Sequence, residues 1–519
     1  MPASKSSGSS RRSKPGGTGA VAACFAACLA LLSAAAWWVR HTGSTLYYGD
    51  AEAHLNIARR LVDSRTPGIR QLGTTWLPLP HLLMAPFVRN DWLWQSGLAG
   101  AMVSVPATAL AAAFLFAAVR RLFGSTAGWT AAAVLVLNSN VLYLSATPMT
   151  EPAFLAALCA LLYFTVRFGQ APAWLPLLGA AAAVLAGTLT RYEMWFLVPF
   201  VAVYILARGR RVSMTLVFGL LAAAGPALWL AHNRWQFGDA LYFYRGPWSA
   251  LAIQGNHPYP GRGDWWMAAR YYLEATHLMA GWPALVVCAV GTVAVLLRRA
   301  VWPVALLLLP AAFYVWSIHS SGTPLFLPTL TPFSYYNTRY AVPVLPLIAL
   351  CAGALARPGR WWALAALGAV FWPVVSHPFS PPVTWRESEA NSRGRRQWTA
   401  QAAAILRTAR KPGETVFTSF GDLTGVFREA GIPLRATLTG DNDTEFDLVC
   451  ARPDIHLRST WAVAQGGDIV QTTLDRARLR GPRYRLVERI MVKDAPVTEI
   501  YRLEPPNADS LPQAPRSQE

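Results

Sequence analysis

The sequence predicts an all-α polytopic membrane domain of about eleven transmembrane helices, followed by a small C-terminal α/β domain outside the membrane. Three observations carry this reading. Of 519 residues, 54% are hydrophobic and only 14% charged, with 22 Trp, 17 Tyr and 22 Phe, which is too apolar for a soluble chain. Long apolar runs recur to about residue 376, each near the length that crosses a hydrocarbon core. The charge is divided unevenly. Only nine acids precede residue 381 (Asp50, Glu52, Asp63, Asp91, Glu151, Glu193, Asp239, Asp264 and Glu274), while 18 of the 27 lie in the tail. A basic front and a nearly balanced tail make two domains.

The spans fall at roughly 20–39, 97–118, 126–146, 152–166, 172–190, 194–207, 213–231, 277–297, 301–318, 340–356 and 361–376. With the N-terminus inside, the cytoplasmic connections carry Arg120 and Arg121, Arg167, Arg208, Arg210 and Arg211, Arg298 and Arg299, and Arg357 and Arg360. All nine front acids then face the other side, a positive-inside pattern. It accounts for most of the net charge of +19 and removes the reason to invoke nucleic acid. An odd span count puts the tail domain outside. The first run ends in the interfacial pair Trp37 and Trp38, so it reads as an uncleaved span of a cell inner or plasma membrane protein rather than a signal peptide. Cys24, Cys28, Cys159, Cys288, Cys351 and Cys450 have neither disulfide-framework nor metal spacing.

The domain reading is 1–18 as a disordered basic cytoplasmic leader, 19–379 as the membrane domain with outer loops 40–96, 232–276 and 319–339, 380–505 as the extracytoplasmic α/β domain, and 506–519 as a disordered tail. In the first loop, "DAEAHLNIARRLVDS" has Leu55, Ala58, Leu61 and Val62 at helical spacing, an amphipathic helix lying on the membrane surface. In the tail, "ETVFTSF" and "FDLVCA" read as strands, "GDLTGVFREAG" and "GDIVQTTLDRARL" as helices, and "YRLVERIMV" with "VTEIYRLE" as a closing strand pair. The acidic tip "TGDNDTEFD" fits no EF-hand spacing and reads as a solvated loop.

Asp50, Glu52 and His54 stand within five residues, just past the first span. The plain reading is helix capping, with Asp50 at the N-cap, Glu52 in the first turn and His54 on the surface. The chemical reading is convergence. Residues i and i+2 share a side in extended chain, and i and i+4 share one in a helix. Such a set can hold Mg²⁺, Mn²⁺ or Zn²⁺, or take a proton from a hydroxyl as general base. Glu151 in "SATPMTEPAF", Arg191 and Glu193 in "GTLTRYEMWF", and Arg339 and Tyr340 in "SYYNTRYAVP" reach the same membrane face. Carboxylates that activate a nucleophile, beside guanidiniums that clamp a phosphate, suit glycosyl transfer. The plain alternative for each arginine is snorkelling to headgroups.

This pattern resembles the GT-C superfamily of membrane glycosyltransferases, in particular glycosyltransferase family 39 with its protein O-mannosyltransferase and aminoarabinose transferase types. "YYGDAEAHLNIARRL" resembles the acidic motif that opens their first outer loop, here Asp-Ala-Glu where the family has an adjacent acidic pair. "TPMTEPAFLAAL" resembles the acid after the third span, "AGTLTRYE" the stretch after the fifth, "NRWQFGDALYFYRG" the entry to the second long loop, and "NTRYAVPVLPLIAL" the Arg-Tyr entry of a late span. The resemblance implies a polyprenyl-phosphate sugar donor used at the outer face, within membrane lipid, with a protein, lipid or glycan acceptor. It implies Asp50 as the base of an inverting transfer, Glu52 beside it as a second catalytic carboxylate, Arg191, Arg339 and Tyr340 on the lipid phosphate, and His54 and Glu151 toward a metal or the acceptor. Two other readings stand beside it. A transporter or flippase calls for charges at mid-span and repeated halves. A non-catalytic scaffold calls for a ligand-binding tail.

Overall fold

The computed structural model describes residues 16–378, 380–419, 421, 423–441 and 444–505. The expected terminal disorder at 1–15 and 506–519 lies outside these residues. The first helix, Gly16–His41, begins inside the stretch read as leader.

Helices stand at each of the eleven expected positions, but they are unequal. Six are long and apolar enough to cross a membrane, among them Leu98–Phe123, Glu151–Gln170, Val212–Phe237 and Val301–Ser320. Two bent pairs bring the number to eight at most: Ser125–Val136 with Ser139–Ser145, and Trp265–Ala280 with Trp282–Leu297, bent by 66° and 107°. The stretches expected at 172–190, 194–207 and 361–376 form helices of 15, 17 and 17 residues, at or below the short end of what crosses about 30 Å of hydrocarbon. The expected span 340–356 begins as a tight helical segment, Thr338–Val344, and becomes α-helical at Leu345–Leu355. Small residues let these helices approach one another. A Cβ on Gly100 would lie 2.5 Å from the Cα of Pro148, and one on Gly291 would lie 2.6 Å from the carbonyl oxygen of Cys351.

The tail opens with a long helix, Val383–Ala409, that the sequence reading did not identify. Behind it lies a five-stranded sheet in the order β2-β1-β3-β5-β4. The strands are β1 Val416–Thr418, β2 Thr437–Leu438, β3 Trp461–Gln465, β4 Tyr484–Ile490 and β5 Thr498–Leu503. β1 is parallel to β2 and β3, while β5 is antiparallel to β3 and β4. The expected strand "FDLVCA" is instead part of helix Thr444–Ala451. Its apolar run holds Phe446 and Val449 three apart, and both are buried on one side, which is a helical spacing.

The helix Gly49–Arg60 forms where expected but does not lie open on a membrane surface. Nine of its twelve residues are buried. Leu55 and Ala58 share one apolar core with Trp94 of the same outer loop and with Trp398, Val426, Phe427 and Trp461 of the tail. The tail therefore roofs this helix. Leu55 is fully buried in that shared core. Leu55→Ala should cost about 2–5 kcal/mol. Hydrogen exchange should show the added opening in β1 and β3 as well as in the helix itself, because the two parts share the cavity that the substitution leaves.

Candidate active site

A cavity of about 950 Å³ opens where the outer loops, the helix ends and the tail meet. Asp50, Glu52 and His54 reach it from the helix Gly49–Arg60, Trp76 from the following loop, Thr150 and Arg191 from helix ends, and Arg339 and Tyr340 from the start of a late span. Gly421, Gly440 and Asp441 close it from the tail.

The centre is a network of ion pairs. Arg339 places Nη2 on Asp50 Oδ2, Nε 3.1 Å from Glu151 Oε1 and Nη1 3.5 Å from Glu387 Oε1. Arg191 donates from Nε to Glu193 at 2.6 Å, from Nη1 to Glu151 at 2.9 Å and Thr150 Oγ1 at 2.8 Å, and from Nη2 to the Tyr314 hydroxyl at 2.7 Å. Glu151 thus bridges the two guanidiniums. Local sequence explains the placement of the acids. Glu151 and Glu193 each begin a helix, and Asp50 is the second residue of another. Each sits where the helix dipole favours negative charge. The side chains of Glu151, Glu193 and Glu387 are 2%, 4% and 2% exposed, whereas that of Asp50 is 37% exposed. Asp50 is therefore the member of this set that a ligand in the cavity can reach.

The capping reading of Asp50 does not hold. Tyr48 is the N-cap, with no side-chain capping bond, and the Asp50 carboxylate turns to Arg339. Nor do Asp50 and Glu52 converge. Two positions apart on a helix, they point to different sides. Glu52 accepts from Arg428 Nε at 2.7 Å and from Asn56 Nδ2 at 3.0 Å, so its carboxylate ties the helix to the tail. His54 is not a surface histidine. It is 2% exposed, with Nδ1 2.9 Å from His81 Nε2 and its ring edge-on to Trp76. Burial, reinforced by the charges of Arg339 and Arg191, lowers its pKa to about 3. Burial likewise holds His81 well below its ordinary value, with the neighbouring His54 adding to the effect. Tyr340 stacks on Tyr314 at 4.5 Å and flanks both arginines.

Among the described residues, no three His, Cys, Asp or Glu side chains converge as a metal-holding group. Asp50, Glu52 and Glu151 face guanidinium donors instead, and His54 faces His81. This donor set suits an ion-pair network rather than a divalent cation.

Glu387 was not foreseen. It comes from the tail helix and accepts the N–H groups of Asn337 at 2.8 Å and Thr338 at 2.9 Å, along with the Thr338 hydroxyl. Burial raises its pKa, against the opposing pull of Arg339 and these donors. A signal for it exists in the sequence. Val383, Thr384, Glu387 and Ser388 form the buried stripe of an amphipathic helix, and a carboxylate in such a stripe needs a partner.

Comparison with known proteins agrees with this architecture. A family described as dolichyl-phosphate-mannose-protein mannosyltransferase matches over residues 94–235, the segment that contains Glu151, Arg191 and Glu193. The crystal structure of ArnT from Cupriavidus metallidurans bound to undecaprenyl phosphate superposes with a TM-score of 0.56 at 14% identity, covering 91% of this chain and 97% of that one. The apo form of ArnT gives 0.55 at 16% identity with the same coverage, 91% and 97%. No curated protein matches. The fold is like that of ArnT, and the resemblance drawn from the sequence is borne out.

The histidine pair makes a pH prediction. The pKa of His54 is depressed on folding, from an ordinary value near 6.5 to about 3. Its neutral form therefore favours the folded state above about pH 6.5, and that stability is lost as pH falls toward 3, by at most about 1.4 kcal/mol per unit. The melting temperature of the wild type should fall across this window more steeply than that of His54→Asn. Parallel curves would remove the histidine from the account.

Proposed function

We propose that this chain is an integral membrane glycosyltransferase. It moves a sugar from a polyprenyl-phosphate donor to an acceptor hydroxyl at the outer membrane face, with inversion. The observation that carries the reading is the Asp50–Arg339 pair: a reachable carboxylate against a buried guanidinium in the lining of a large cavity. The ArnT structure that holds undecaprenyl phosphate on the same fold supports a polyprenyl phosphate as ligand.

The roles follow from the geometry. Asp50 takes the proton of the acceptor hydroxyl. The freed oxygen attacks the anomeric carbon opposite the phosphate, the sugar–phosphate bond breaks, and polyprenyl phosphate leaves with the electron pair. Arg339 and Arg191 face the charge that develops on that phosphate, with Tyr340 beside them. An arriving phosphate competes with Asp50 for Arg339, so donor binding frees the base. One exposed carboxylate in this set, acting as base rather than nucleophile, favours inversion. Glu52 and His54 shape the wall, and Glu151 holds the two arginines together. In this reading the N-terminus is cytoplasmic, all eleven helices count as spans, the membrane domain ends near residue 379, and the tail lies outside.

The test is turnover by purified protein in lipid, given a panel of polyprenyl-phosphate sugars and a mixed acceptor extract. Wild type should release polyprenyl phosphate, and Asp50→Asn should lose about a hundredfold or more in rate. Equal turnover by the two would remove Asp50 as base. No turnover by folded wild type on any donor would remove the transferase reading.

A further inference from the structure

We propose that the tail helix Val383–Ala409 is a strut that sets the separation of Asp50 and Arg339, with Glu387 and Arg395 as its positioning residues. The proposal rests on the transferase reading above.

Asp50 and Arg339 are 289 residues apart in sequence and belong to separate helical segments. Each is the second residue of its segment, behind Tyr48 and Gly49 in one case and behind Asn337 and Thr338 in the other. Where each charge lies therefore depends on how the start of its segment is anchored. Helix starts carry free N–H groups that need acceptors.

The tail helix anchors both. Glu387 takes the N–H groups of Asn337 and Thr338, which open the Arg339 segment, and lies 3.5 Å from Arg339 Nη1. Asn337 holds a left-handed φ of 61°, so the chain turns sharply where the carboxylate grips it. Eight residues further along the same helix, roughly 12 Å, Arg395 donates to the carbonyls of Tyr47 at 2.7 Å and Leu46 at 3.3 Å. Those carbonyls precede the Asp50 helix. Arg396 adds a guanidinium 3.9 Å over the Tyr47 ring.

The rod is itself fixed on either side of Glu387 and at the middle of this reach. Thr384 donates from N and Oγ1 to Asn140 Oδ1 at 3.1 and 3.0 Å, and Asn391 donates to the Tyr335 carbonyl at 2.9 Å. Ser388 Oγ lies 2.8 Å from the Tyr143 hydroxyl, which donates to the Ser44 carbonyl at 3.0 Å. One helix thus grips both halves of the central ion pair through opposite charges.

Simple docking of the tail would not need this. A buried carboxylate is costly to desolvate, and well-packed apolar contacts serve docking as well or better. A positioning role does need it, because small misplacements of catalytic groups cost large factors in rate.

Glu387→Gln and Arg395→Met separate the two roles. Glu387→Gln leaves Arg339 with one buried carboxylate fewer and should melt below wild type while still folding in lipid, whereas Arg395→Met should melt near wild type. In each, kcat should fall about tenfold or more while the acceptor KM stays unchanged. Hydrogen exchange, which does not depend on activity, should speed up in residues 337–344 of the first variant and 46–53 of the second. Wild-type kcat in either folded variant, or unchanged exchange in both, would overturn the strut. If wild type itself turns over no donor while folded, the transferase reading fails, and the exchange data alone decide whether the helix holds the two segments.

Discussion

The interaction on which the structure depends is the burial of Arg339 among Asp50, Glu151 and Glu387. A guanidinium out of water is costly unless charges and hydrogen bonds surround it. Its three carboxylates come from the first outer loop, the start of the fourth expected span and the tail. Satisfying one cation therefore draws together three distant parts of the chain. Arg191 repeats the arrangement beside it with Glu151 and Glu193. Four acids against two arginines leave negative charge over, which the α-helix starts at Gly49, Glu151 and Glu193 help to stabilise.

The same constraint explains the position of the tail. Beyond Glu387, its contacts with the first outer loop are largely ionic: Arg428 on Glu52, Asp441 on Arg60, Arg435 on Asp63 and Glu445 on Arg65. Beneath them lies the shared apolar core of Leu55, Trp398 and Phe427. Glu52, which the sequence placed in the chemistry, lines the cavity and also pairs with Arg428 of the tail, while the tail supplies the Glu387 carboxylate to the centre.

Much of this was legible beforehand, for physical reasons. Span positions are written in apolar length, and helices stand at all of them. Asp50, Arg191 and Arg339 stood out because charge at a membrane face is rare, and the structure brings them, with Tyr340, to one cavity. What was not legible depends on contacts between distant segments. The alternation of Asp50 and Glu52 suited two geometries, and the helix chose one. His54 read as exposed because nothing local announces the roof above it. Glu387 was hidden among the 18 acids of the tail because the helix whose stripe buries it was not identified. "FDLVCA" shows the usual ambiguity of a short apolar run.

The proposed transfer requires Arg339 to meet a lipid phosphate. The most direct measurement is the equilibrium affinity of undecaprenyl phosphate for the purified protein in nanodiscs, wild type against Arg339→Gln, with folding checked by thermal melting. A charge-assisted bond of about 1.5–3 kcal/mol predicts a loss of roughly tenfold to a hundredfold in Kd. Unchanged affinity in a folded variant would mean that Arg339 only holds the structure together and that the phosphate binds elsewhere.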